Sequence, residues 1–278
     1  MKLKKFGILR TCSLSIFLGI SMMSVESFER RAVVISNLKM YVPWSQRVSA
    51  IDPGIEVYIY HSDKKHATDP RFVPNDGLEA MKYISFILEN FNNLPEHTLF
   101  LHGHEKSYHS IKCYACWNGK DIKSSRADCQ ISATDIVLNW NWSEPCFRPV
   151  PGKITKLSCN KLRRNNLKYL SKVSGIYSGL TRKEKMDMCS MRGTGNAQFG
   201  VSKSCILRNP RQTYENIWHY LKKRKVHSEK YLKNEKAVEL ENFWMFLFSR
   251  QGNRQEHKCL PNMNMSTDIS GFKYLGNS

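Results

Sequence analysis

The chain has 278 residues, with 43 Lys and Arg against 24 Asp and Glu, a formal net charge of +19, and 41% hydrophobic residues. That length and apolar content suit one large α/β domain with a substantial core. Past the first residues no stretch approaches the roughly 20 apolar residues that span a bilayer as a helix.

In chain order, Lys2, Lys4, Lys5 and Arg10 precede an apolar stretch, Thr11 to Met23, followed by Ser24 and Ser27. This is the order of a cleaved signal peptide over residues 1–27, with an uncleaved signal anchor as the alternative. Either places the folded part in the secretory pathway, in the endoplasmic reticulum or Golgi lumen or outside the cell. Removing residues 1–27 takes away four basic residues and Glu26 and leaves a net charge of +16. Such a surface attracts anions such as phosphates or acidic glycans. The compartment excludes nucleic acid as a partner, and contact with a membrane is expected only through an uncleaved anchor.

Arg31 to Leu38 is apolar and β-branched and reads as a first buried strand. Tyr41 to Asp52 fits a short crossover helix, and Ile55 to Tyr60 is a second strand ending in His61-Ser62-Asp63. Asp76-Gly77 then opens a helix over Leu78 to Asn90, with Leu78, Met81, Ile84, Ile87 and Leu88 on one stripe. Glu79 in its first turn suits the positive end of the helix dipole. The next strand, Leu99-Phe100-Leu101, stops abruptly at His102-Gly103-His104, with His109 close behind. Residues two apart share a strand face, so His102 and His104 are expected side by side in an open hollow. Open α/β sheets bind ligands beyond their strands' carboxyl ends.

Lys112 to Cys189 reads as an irregular, disulfide-bearing middle section with short helices around Leu162 to Val173. Ala197 to Val201 is a further strand, Pro210 to Lys222 an aromatic-rich helix, and Val238 to Ser249 a last helix. Lys222 to Lys236 is a charge run, and 251–278 a polar tail. The alternation of strands and helices predicts a single doubly wound, mostly parallel sheet with flanking helices, in a domain spanning 28–250. Leaving Cys12 aside, eight cysteines allow up to four disulfides. Alternatively, Cys113, Cys116, Cys129 and Cys146 form a structural zinc site. Asn141-Trp142-Ser143 and Asn264-Met265-Ser266 are glycosylation sequons.

Five blocks, in order, carry a family resemblance. They are Val33 to Trp44; Val57 to Tyr60; Asn75 to Ala80 with Tyr83; Asn92 to Pro95 leading into Thr98 to His104; and the closing pair Ala197 to Ser202 and Glu241 to Trp244. Together they resemble the domain-of-unknown-function family thirty-four thirty-one. Leu78 and Met245 depart from its usual arginine and histidine. The layout is similar to the glycosyltransferase A fold, which implies a nucleotide-sugar donor. In that fold an Asp-x-Asp motif ends a strand and holds a divalent metal, and His102-Gly103-His104 stands at the corresponding place here.

Transfer of a sugar needs a base for the acceptor hydroxyl and stabilisation of the departing diphosphate. The resemblance assigns Glu241 as catalytic base. His104, His102 and His109 would face the diphosphate, with His102 and His104 as metal ligands if a divalent ion is the cofactor. Asp63 would contact the nucleoside, Gln198 and Ser202 would line the acceptor side, and Arg208 would assist at phosphate. Hard ions prefer oxygen ligands, so the histidines equally suit direct hydrogen bonds to phosphate. Two other readings stand beside this one. The first is a non-catalytic secreted protein that binds glycans or anions, favoured by the charge. The second is a metal-dependent hydrolase using His102, His104 and His109. Trp218 and Trp244 are assigned to the core.

Overall fold

The computed structural model describes residues 29–111, 130–143, 146–150, 168–179, 197–222, 240–241, 243–244 and 246–248. The expected leader, six of the eight later cysteines, the charge run past Lys222, the polar tail and the Asn264 sequon lie outside these residues. The order is β1 (Arg31–Asn37), α1 (Pro43–Ile51), β2 (Ile55–His61), α2 (Leu78–Glu89), β3 (His97–His102), β4 (Lys106–Ile111) and β5 (Gln130–Ser132). There follow α3 (Ala133–Leu138), β6 (Phe147–Pro149), α4 (residues 168–173), β7 (Phe199–Ser202), α5 (Lys203–Leu207) and α6 (Arg211–Lys222). A closing helix, α7, is described at residues 240–241, 243–244 and 246–248. Among the described residues, no helix is long and apolar enough to cross a membrane.

The main sheet has five strands in the order β2-β1-β3-β7-β6. β1 pairs in parallel with β2 and β3, whereas β7 is antiparallel to both β3 and β6. Four strands therefore share one direction and β7 opposes them. β1 is buried on both faces because it lies between two strands and two helical layers. Its alternate side chains divide accordingly. Ala32 and Val34 join one core with Tyr83, Phe86, Phe100, Phe199 and Trp244; Val33 and Ile35 join a second with Trp44, Val48, Ile136 and Trp140. The first core is covered by α2, α6 and α7, the second by α1 and α3. Gly200 lets these layers close, since a Cβ there would sit 2.3 Å from the Trp140 ring.

Two expectations for the middle section change. Phe147 to Pro149 is an edge strand of the main sheet, and β4 and β5 form a separate two-stranded antiparallel sheet. Cys146 is disulfide-bonded to Cys205, tying the start of β6 to α5, so Cys146 is not available to the alternative zinc set. Trp244 and Trp218 pack with the first core, Trp218 half-buried and donating from Nε1 to Ser85 Oγ at 3.3 Å.

Candidate functional site

A cavity of about 540 Å³ opens at the carboxyl ends of β1 and β3. Ser36 and Met40 reach it from the end of β1 and the turn after it, His102 to His104 from the end of β3 and the turn beyond, and Glu79 and Lys82 from α2, while Glu241 lines it from α7. The strand-end turn is stitched in place from two sides. Gly103 N donates to Ser36 O at 2.9 Å, and Trp44 Nε1 donates to Gly103 O at 3.0 Å. A Cβ on Gly103 would crowd Asn37 Oδ1 at 3.1 Å.

The opening of α2 is conformationally costly. Leu78 has φ of 49°, a left-handed value that costs about 1–2 kcal/mol for a residue with a side chain. Gly77 precedes it, and a Cβ there would meet Leu221 at 2.8 Å. With the chain held this way, Leu78, Glu79 and Lys82 line the cavity one turn apart.

Three ionisable groups at this rim are displaced from their ordinary behaviour. The Glu241 carboxyl is raised to about 8, first by burial, then by the charge of Glu79 and its hydrogen bond with Glu79. Two hydrogen-bonded carboxyl groups share a proton at neutral pH, because like charges in contact cannot both ionise. Burial lowers the Lys82 ammonium to about 8, partly opposed by the nearby Glu79 charge, and its Nζ donates to Leu78 O at 3.1 Å. The His102 imidazole is lowered to about 4 by burial, with His104 and Lys82 adding like-charge repulsion. Tyr83, fully buried beside this group, is pushed well above its usual value by burial and by the charges of Glu79 and Glu241. Asn75 Oδ1 is enclosed at the same cavity without a hydrogen-bond partner among the described residues.

The candidate residues from the sequence separate into those the fold gathers and those it does not. His102, His104 and Glu241 line one cavity. His102 is half-buried with Nε2 enclosed, whereas His104 is exposed, because β3 ends at His102 and the alternation does not continue through Gly103. Gln198 stands behind the rim, its Oε1 accepting from His102 N at 3.2 Å. Ser202 pairs with His97 at the opposite end of β3, since β7 runs antiparallel. Arg208 Nη1 donates to Cys146 Sγ at 3.2 Å. Asp63 sits beyond β2 with His61 and His66. His109 falls in β4, and its side chain lies outside the described residues.

Sequence reasoning took Glu79 for a dipole residue and passed over Lys82. The missed signal was a Glu and a Lys three apart on the face of α2 that also carries Leu78, Met81 and Ser85. That spacing places two charges on one side of a helix, and that side of α2 lines the cavity.

The family model described as "Protein of unknown function (DUF3431)" matches residues 33–264. Comparison with curated proteins and with solved structures finds no match.

Proposed function

We propose that this chain, which belongs to that family of unknown function, is a glycosyltransferase-like enzyme of the secretory pathway. It would move a sugar from a nucleotide-sugar donor to an acceptor hydroxyl. The observation that carries the reading is the hydrogen-bonded Glu79 and Glu241 pair at a strand-end cavity that also holds Lys82, His104 and Lys106. The pair keeps one carboxylate to take a proton and one carboxyl to hold its neighbours in place, which suits general-base work near neutral pH.

In the reaction the acceptor oxygen bonds to the anomeric carbon while the carbon–oxygen bond to the diphosphate breaks. The acceptor proton passes to the carboxylate pair. The electron pair leaves with the diphosphate, whose charge is met by the Lys82 and Lys106 ammonium groups and by His104. Cations aimed at a developing charge in a partly enclosed site stabilise it more than water does. Asn75 Oδ1 offers a fixed acceptor for a donor hydroxyl. The mostly parallel sheet with one opposed strand, and the cavity at its carboxyl edge, support a nucleotide-binding layout. The Cys146–Cys205 disulfide supports the oxidising compartment.

His102 and His104 do not fit a hard divalent cation. Both are nitrogen donors, and Lys82 already sets a positive charge against His102. The reading therefore routes no step through a metal between them.

The test is a thermal-shift screen of the full chain against nucleoside diphosphates and their sugars, followed by turnover assays on each ligand that binds. A ligand at 100-fold over its dissociation constant stabilises by about 2.7 kcal/mol. Binding that survives in Glu241→Gln while transfer is lost is the expected pattern. Silence from every nucleotide, or transfer unaffected by that substitution, overturns the reading.

A further inference from the structure

A second group of chemistry-bearing side chains lies on the same rim, one strand over, and no step of the proposed transfer uses it. β2 ends at His61, and the chain then loops out and back, with His61 N donating to Arg71 O at 3.0 Å and Val73 N to His61 O at 2.8 Å. Within that loop Lys64–His66 forms a single 3-10 turn with Asp63 at its N-cap. His61, Asp63 and His66 each present one ligand atom, and all three atoms lie within 4.8 Å of one another. We propose that these three residues form a site for a divalent transition-metal ion of the zinc type.

The behaviour of Asp63 carries the argument furthest. Its side chain is only 6% exposed, yet neither carboxylate oxygen has a hydrogen-bond partner among the described residues. An aspartate at an N-cap ordinarily accepts from the backbone N–H groups of the turn it opens. Asp63 makes no such bond. Its Oδ2 instead lies 3.9 Å from His66 Nε2. A buried carboxylate without donors is costly unless paired or coordinated to a metal, and a bound cation removes that cost directly.

Two imidazoles stand near the same carboxylate. Their rings stack at 4.0 Å between centroids with 21° between planes, so an ion lying in the plane of both requires one imidazole to turn about its side-chain bonds. Asp69 Oδ2 stands 4.0 Å from His61 Nε2, on the outside of the group. A metal-bound histidine ordinarily donates its other ring N–H to a carboxylate or carbonyl, so Asp69 is placed to orient His61 when Nδ1 is the ligand atom.

The donor set selects the ion. Two imidazoles and one carboxylate suit zinc over magnesium or calcium, which prefer all-oxygen shells. Bonds of about 2.0–2.2 Å in tetrahedral geometry set ligand atoms about 3.5 Å apart. Closing from 4.8 Å therefore takes side-chain shifts of about 1 Å together with the turn of one ring. Three protein ligands leave a fourth position for water or an anion. The ion would also fasten the loop to the strand end beside Asn37, whose neighbour Ser36 lines the cavity.

The experiment titrates the chelator-stripped full chain with Zn²⁺ by calorimetry and with Co²⁺ by visible absorption. It compares wild type with His66→Gln, Asp63→Asn and the double variant His102→Ala/His104→Ala. His66 is partly exposed, so its variant tests the proposal even if Asp63→Asn fails to fold. Expected is one site whose affinity falls at least about 10-fold in His66→Gln, the low end of what even outer-partner losses cause. That site persists in the His102/His104 variant. Wild type that takes up neither ion overturns the proposal. So does a His66→Gln affinity equal to wild type, or a site removed by the His102/His104 variant instead.

Discussion

Two glutamates at opposite ends of the same sheet respond to their surroundings in opposite directions. Glu56, near the amino end of β2, accepts from Arg30 Nε at 2.7 Å and from Tyr58 Oη at 2.5 Å, and the Arg30 bond holds its carboxyl below the ordinary range. Glu241, at the carboxyl end, is enclosed against another acid and is raised to about 8. Around Glu56 the other charges are paired and partly wetted, as with Arg31 and Asp52 at 3.1 Å or Lys203 and Glu96 at 2.7 Å. Around Glu241 they are Lys82 and His102, both shifted toward their neutral forms. One end spends its charges on ordinary surface pairs. The other holds ionisable groups in forms that cost stability, and strongly shifted groups in a cleft mark functional sites.

The comparison breaks first at Glu241. Glu241→Gln is expected to lower turnover by about 10²–10⁴-fold with little change in KM, because it breaks the carboxyl pair that takes the proton and leaves the cavity's shape. Steady-state kinetics on the sugar nucleotide found by the binding screen checks this. The same variant should change how stability depends on pH. A carboxyl raised in the folded state contributes stability that is complete below its unfolded value of 4.5 and is lost as pH rises through about 8. His102, lowered to about 4, acts with the opposite sign up to about 6.5, so the Glu241 contribution is read as the difference between wild type and Glu241→Gln. The unfolding free energy of wild type relative to Glu241→Gln, from urea melts, should fall between pH 4.5 and 8 by on the order of a few kcal/mol. A difference that is flat or rises over this interval shows that Glu241 is ionised throughout.

Much of the frame was legible in the sequence, and the reasons are local. β1 and β3 announce themselves because central parallel strands are apolar on both faces, β2 because its run is rich in β-branched and aromatic residues, and α2 because its stripe is long and regular. β6 was hidden. It is three residues long, sits at a sheet edge, and carries Pro149 between Pro145 and Pro151, a composition that edges tolerate and that reads as loop. In the site, His102 and His104 were visible because an apolar strand stops on them. Ser202 was misplaced because sequence shows that β7 is a strand without showing its direction. The antiparallel pairing carries its end to the far rim. Lys82 was overlooked because a single lysine in an apolar stripe looks like a chain reaching for solvent, and here it is 1% exposed.

Lys82 gives the intermediate effect. Lys82→Met keeps the packing volume and removes an ammonium held near 8 by burial. The folded protein should gain about 1–2 kcal/mol at pH 7, since a buried charge is often replaced by an apolar side chain without loss. Affinity for a nucleoside diphosphate should fall. Thermal melts and nucleotide titrations on the same preparation separate the two consequences. A variant both less stable and unaffected in binding would make Lys82 a structural ion-pair residue.

Glu56→Gln should give the smallest effect. The Arg30–Glu56 pair is 37–39% exposed at its side chains, so solvent screening leaves it worth at most about 1 kcal/mol. Its sign is the reverse of that at Glu241. A carboxyl lowered in the folded state contributes stability above its unfolded value of 4.5, and loses it as pH falls below that. The variant should therefore match wild type in acid and fall slightly behind at pH 7. Added salt should narrow that gap. Turnover should not change, because the pair lies at the sheet end away from the cavity. A loss of turnover in Glu56→Gln, with stability intact, would mean that the amino end contributes to chemistry and that the division between the two ends is wrong.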